Sequence, residues 1–117
     1  MKKILVADDE MSIRLLYSEE LKEEGYEVYQ ATNGREALES VDKIPLDLVI
    51  LDIKMPEMDG IEALRQIKEK RPDLPVLLST AYGEYRQDFA TWASDEYLVK
   101  SSDLEDLKST VKRYLKD

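Results

Sequence analysis

Two acidic sites in this chain stand directly after continuous apolar runs. Ile4, Leu5, Val6 and Ala7 lead into Asp8, Asp9 and Glu10, and Leu48, Val49, Ile50 and Leu51 lead into Asp52. If both runs are buried strands, three or four carboxylates meet at one edge of a sheet. Such a cluster is electrostatically costly unless a cation offsets it, and hard oxygen ligands suit Mg²⁺. Two more chemically capable residues end strand-like segments: Thr80 after Val76 to Ser79, and Lys100 after Glu96 to Val99. The 117 residues include no histidine and no cysteine, so imidazole bases, thiolate ligands and disulfides are excluded. Carboxylates, hydroxyls and lysines remain. Each also has a purely structural reading. Asp52 and Thr80 could be turn or cap residues, Asp8 and Asp9 could begin a helix whose dipole favours acids, and Lys100 could solubilise a strand end.

The elements that must position these residues alternate along the chain. Runs such as Leu48 to Leu51, apolar on both faces, suit central parallel strands covered by helices on each side. Met11 to Glu24 carries Ile13, Leu16, Tyr17 and Leu21 at helical spacing, with Arg14 and Ser18 off that stripe. Gly25 stops it, and Tyr26 to Ala31 reads as a second strand, at an edge. Asn33 with Glu36 is a capping-box pattern for a short helix with Ala37, Leu38 and Val41 inward, ended by Pro45. After Asp52, Lys54, Met55 and Pro56 run into a turn at Asp59 and Gly60. Asp59 with Glu62 repeats the capping pattern for a helix on Ile61, Leu64 and Ile67, which Arg71 and Pro72 break. Pro75 to Ser79 is the fourth strand, Glu84 to Ser94 a short fourth helix, and Glu96 to Val99 the fifth strand. Ser102 with Glu105 caps a fifth helix on Leu104, Leu107, Val111 and Leu115.

Alternation of this kind predicts an α/β fold: a flavodoxin-like, doubly wound sheet of five parallel strands in the order 2-1-3-4-5 with five helices. Ligands collect beyond the carboxyl ends of such strands, where Asp8, Asp9, Asp52, Thr80 and Lys100 stand. The expectation is one domain over residues 1–117, with no linker or repeat. The 26 acidic against 17 basic residues, a net charge of -9, disfavour nucleic acid or an anionic membrane as a direct partner. No apolar stretch approaches the roughly 20 residues that span a bilayer, and the first ten residues lack a signal-peptide core, so a cytoplasmic location is expected. The 37% charged content suits a thermophile or an acidic mesophile domain equally.

The segments ILVADDE, DLVILDIKMPEMDG, LLSTAYGE and DEYLVK, in that order on alternating elements, resemble the signatures of the receiver domains of two-component response regulators. The resemblance covers essentially the whole chain and is nearest in kind to stand-alone chemotaxis and sporulation-relay receivers. It implies that Asp52 is the phosphoacceptor for a sensor histidine kinase. It also implies that Asp9, Asp52 and the backbone carbonyl of Lys54 hold Mg²⁺, for which Mn²⁺ could substitute, with Asp8 reaching the ion through water. Thr80 and Lys100 would contact the phosphoryl oxygens, and Tyr97 would couple with Thr80 as a switch, against the alternative of a half-buried strand tyrosine. Lys54 and Tyr82 would tune the lifetime of the phosphoryl group. A monomer is expected whose fourth helix, fifth strand and fifth helix form the surface read by a downstream target or phosphotransfer protein.

The chain departs from the family in two places. Ser101 follows Lys100 where most receivers have proline after a cis bond. A cis bond costs about 2.5–4 kcal/mol before other residues against about 0.5–1 before proline, which favours trans here. The segment between Thr80 and Lys100 is also slightly short and lacks the usual Gly-Ala. Two rival functions remain at this level. A haloacid-dehalogenase-like phosphohydrolase also uses a strand-end aspartate with Mg²⁺, but its Asp-x-Asp pattern is missing after the first strand. A pseudo-receiver would serve as a scaffold without taking up phosphoryl groups. A flavodoxin would need a Ser/Thr/Gly-rich phosphate loop after the first strand, and there is none.

Overall fold

Segments that are apolar on both faces become the middle of a parallel sheet. The computed structural model describes residues 1–80, 96–99 and 104–116. Its strands are β1 (Lys3–Ala7), β2 (Glu27–Ala31), β3 (Leu48–Asp52), β4 (Val76–Thr80) and β5 (Glu96–Val99). They pair in parallel in the order β2-β1-β3-β4-β5. The helices among the described residues are α1 (Met11–Glu23), α2 (Gly34–Lys43), α3 (Gly60–Lys70) and α4 (Glu105–Tyr114). The helix expected over residues 84–94 lies outside the described residues. None of the described helices is long and apolar enough to cross a membrane.

Period-two alternation sends each strand's side chains to two cores. Leu5, Ala7, Val49, Leu51, Val76 and Leu78 pack under α2 and α3 with Leu38, Val41, Leu64 and Ile67. Ile4, Val6, Leu48, Ile50 and Leu77 pack under α1 and α4 with Tyr17, Leu21, Leu107 and Val111. β1 and β3 are buried on both faces, which is why their sequences read as unbroken apolar runs. Edge strand β2 is only half-buried and correspondingly mixed in sequence.

Three local expectations need correction. On α1 the inward stripe is Ile13, Tyr17, Ser18 and Leu21, while Leu16 is 40% exposed. Tyr17 and Leu21 define the centre of the buried face, and Leu16 and Ser18 flank it on opposite sides, about 100° to either side of Tyr17. The Ser18 flank is the covered one. At α3, Asp59 does cap, its side chain accepting the Glu62 amide at 2.9 Å, but the Glu62 carboxylate bonds Arg65 and Gln66 instead of returning to the cap. At α4 the residue before the helix is Leu104, which gives no side-chain cap but packs on the core. Ser102 lies outside the described residues.

At α2 the cap bond forms and the Glu36 carboxylate reaches back to Thr32, one residue before the cap. Asn33 Oδ1 accepts the Glu36 amide at 2.8 Å, and Glu36 Oε1 accepts both the amide and the hydroxyl of Thr32 at 2.8 Å. Those two bonds, the amide's first, hold the Glu36 carboxyl below the usual glutamate range. A depressed folded-state pKa contributes stability above the unfolded value that is lost as pH falls through the folded one. Glu36→Gln is therefore expected to be less stable than wild type at neutral pH. The gap should close as urea midpoints are followed below the normal glutamate pKa, and a gap constant down to pH 3 would contradict the assignment.

Two glycines allow backbones to touch. A Cβ on Gly34 would lie 2.3 Å from the Met58 carbonyl oxygen, and one on Gly60 would lie 2.0 Å from that of Asp52. Both glycines also bond across these contacts, Gly34 N to Met58 O at 3.0 Å and Gly60 N to Ile53 O at 2.7 Å. The obstacle at Gly60 is backbone, so the end of β3 or the start of α3 must shift to admit a side chain. Gly60→Ala should cost about 1–3 kcal/mol in urea unfolding, and a cost near zero would contradict this packing.

Candidate metal and phosphoryl site

The parallel pairing of β1 with β3 decides where the acids meet. Ala7 lies opposite Leu51, so the residues that follow, Asp8 and Asp52, leave neighbouring strands side by side. Both continue the alternation of the face under α1 and α4, after Val6 and Ile50. Asp8 is 2% exposed and Asp52 5%, whereas Asp9 is exposed. One carboxylate oxygen from each of Asp8, Asp9 and Asp52 lies within 4.8 Å of the others. An all-oxygen set of three carboxylates fits a hard divalent cation and fits nothing softer.

The loops around this cluster are tied down. Asp8 N donates to Ala31 O at 3.0 Å, which prolongs the β1–β2 ladder by one residue. Asp8 Oδ1 accepts the Glu10 amide at 2.9 Å, turning the chain into α1. Arg14 donates to the Asp8 carbonyl at 2.8 Å and to Gln30 Oε1 at 3.1 Å. On the opposite side, Asn33 Nδ2 donates to Glu57 Oε2 at 2.8 Å. Glu57 has φ 65°, in the left-handed region that costs a side-chain-bearing residue energy, and this bond helps to hold it there. The loop from Asp52 to Gly60 is thus anchored at Glu57, Met58 and Gly60.

Of the site residues expected from sequence, Asp8, Asp9 and Asp52 are brought together. Lys54 is exposed on the loop two residues after Asp52. Thr80 ends β4 opposite Val99, and Tyr97 sits in β5 opposite Leu78. The side chains of Thr80 and Tyr97, and the whole of Tyr82 and Lys100, lie outside the described residues. Arg14 was missed as a site residue. An arginine on the first turns of an amphipathic helix reads as a solvated charge, and its bond to a carbonyl six residues earlier leaves no mark in the apolar periodicity.

Comparison with known proteins agrees with this geometry. The family model for the response regulator receiver domain matches residues 4–112. Sporulation initiation phosphotransferase F of Bacillus subtilis is 40% identical over 116 residues, covering 97% of this chain and 94% of that protein. The regulatory protein AtoC of Escherichia coli is 38% identical over 98% of this chain, but this chain spans only 25% of AtoC. Among solved structures, response regulator TrrA of Thermotoga maritima in complex with Mg²⁺-BeF superposes with a TM-score of 0.96 at 51% identity, covering 98% of this chain and 100% of that one. TrrA in complex with histidine kinase ThkA gives a TM-score of 0.92 at 51% identity, over 98% of this chain and 99% of that one. With a parallel α/β sheet, an acidic cluster at its carboxyl edge and these relatives, the chain belongs to the response regulator receiver domain family.

Proposed function

We propose that Asp52 is the residue on which this receiver accepts a phosphoryl group, taken from the phosphohistidine of a sensor histidine kinase. The observation that carries the reading is the convergence of Asp8, Asp9 and Asp52 within 4.8 Å at the end of β1 and β3. An Asp52 carboxylate oxygen attacks phosphorus, the P–O bond forms as the P–N bond breaks, and the electron pair returns to the imidazole of the donor. Phosphoryl transfer needs positioning and charge neutralisation more than covalent help. Asp8, Asp9, Asp52 and the Lys54 carbonyl are the groups that would hold Mg²⁺, with Mn²⁺ as a substitute, and the bound ion would supply positive charge to the phosphoryl oxygens. Arg14, through the Asp8 carbonyl, fixes the loop that carries Asp8 and Asp9.

Thr80 and Lys100 complete the site in this reading, as contacts to the phosphoryl oxygens. Tyr97 couples with Thr80, and Lys54 and Tyr82 set the phosphoryl lifetime. The output surface combines the fourth helix expected over residues 84–94 with β5 and α4. A kinase partner is supported by the complex of TrrA with ThkA, and a phosphotransfer partner by the name of the Bacillus relative. Residues 1–117 form one receiver domain in this reading, cytoplasmic and monomeric, that meets proteins and not nucleic acid or membrane. Its only catalysis is its own phosphorylation and slow dephosphorylation.

Incubation with acetyl phosphate and Mg²⁺ is expected to add one phosphoryl group to the wild-type protein by intact mass, and none to Asp52→Asn. Equal uptake by the two proteins would contradict the assignment of Asp52. No uptake by either, from acetyl phosphate or from a kinase, would favour a scaffold role.

A further inference from the structure

Asp52 has a neighbour on the flank away from the acidic cluster. β3 and β4 pair with Asp52 opposite Ser79, and Ser79 in turn lies opposite Leu98. Residues opposite one another in paired strands point to the same face of the sheet. The face is known from the residues two positions earlier, Ile50 and Leu77, both in the core under α1 and α4. The side chains of Asp52 and Ser79 therefore occupy one layer of that face, beside each other. Ser79 is 1% exposed, and its Oγ has no hydrogen-bond partner among the described residues.

A buried hydroxyl without a partner opposes folding. We propose that the Ser79 hydroxyl is a reserved donor, which takes its acceptor when Asp52 carries a phosphoryl group. This rests on the reading of Asp52 as the phosphoacceptor. Phosphorylation adds oxygen acceptors to the side chain directly beside Ser79. A donor that is unpartnered before loading and bonded after it contributes the whole of that difference to the loaded state. Ser79 is then a determinant of how firmly the site holds its phosphoryl group, separate from the metal ligands.

Ser18 provides the control. Its Oγ is also buried and without a partner among the described residues, but it sits on α1, not in register with Asp52. Affinity for beryllofluoride, a phosphoryl mimic, would be measured by calorimetry in Mg²⁺ on wild type, Ser79→Ala and Ser18→Ala, after thermal melts show that each is folded. Ser79→Ala should bind about 3- to 10-fold more weakly, the scale of one net hydrogen bond, although removing an unpartnered hydroxyl should raise its melting temperature. Ser18→Ala should melt higher too and bind as wild type does. Wild-type affinity in Ser79→Ala, or an equal loss in Ser18→Ala, would overturn the role of Ser79. Wild-type protein that binds no beryllofluoride would overturn this inference and the phosphoacceptor reading together.

Discussion

The site depends on the β1–β3 register, which forces like charges together. Once Ala7 lies opposite Leu51, Asp8 and Asp52 must leave the sheet as neighbours, and Asp9 joins them within 4.8 Å. Two ionised carboxylates at that separation repel by roughly 3 kcal/mol at an effective dielectric of about 20, less where Asp9 meets solvent. Sliding the pairing by one residue would relieve this, but it would turn every side chain of a doubly buried strand to the wrong core. Apolar packing on two faces thus holds in place a charge cluster that would disperse on a looser scaffold.

The surrounding contacts resist that dispersal from several directions. Arg14 and the Ala31 carbonyl hold the Asp8 segment, while Gly60, Gly34 and Asn33 clamp the loop after Asp52 against α3 and α2. Close backbone approaches at both glycines leave that loop little freedom to move away from the acids. The strain at Glu57 fits the same pattern, a local cost borne where the chain must turn tightly beside the acidic cluster. α1 and α4 cover the face that carries Asp8, Asp52 and Ser79, and the Lys108–Glu20 pair at 3.0 Å joins the two helices.

Much of this was legible in the residues because burial on both faces writes itself as an unbroken apolar run. Leu48 to Leu51 and Ile4 to Ala7 could hardly be other than central strands, and an acid at the end of each run pointed to the carboxyl edge. Amphipathic helices were legible in outline, yet their rotation was not. Leu16 and Ser18 lie on opposite flanks of the α1 stripe, and only tertiary packing decides which is covered. Side-chain reach was the least legible, because Arg14 and Glu62 each had several acceptable partners and local sequence does not rank them. The closeness of Ser79 to Asp52 is a register relation between strands, invisible until the pairing is known.

β1 and β3 hold three carboxylates together against their repulsion, which a divalent cation would relieve. Thermal melts of wild type and Asp8→Asn, in chelator and then in Mg²⁺, test this most directly, since asparagine keeps the acceptor for the Glu10 amide while removing one charge. Asp8→Asn should melt above wild type in chelator, and Mg²⁺ should raise the wild-type midpoint more than the variant's. A variant that melts below wild type in chelator, with the same response to Mg²⁺, would contradict it.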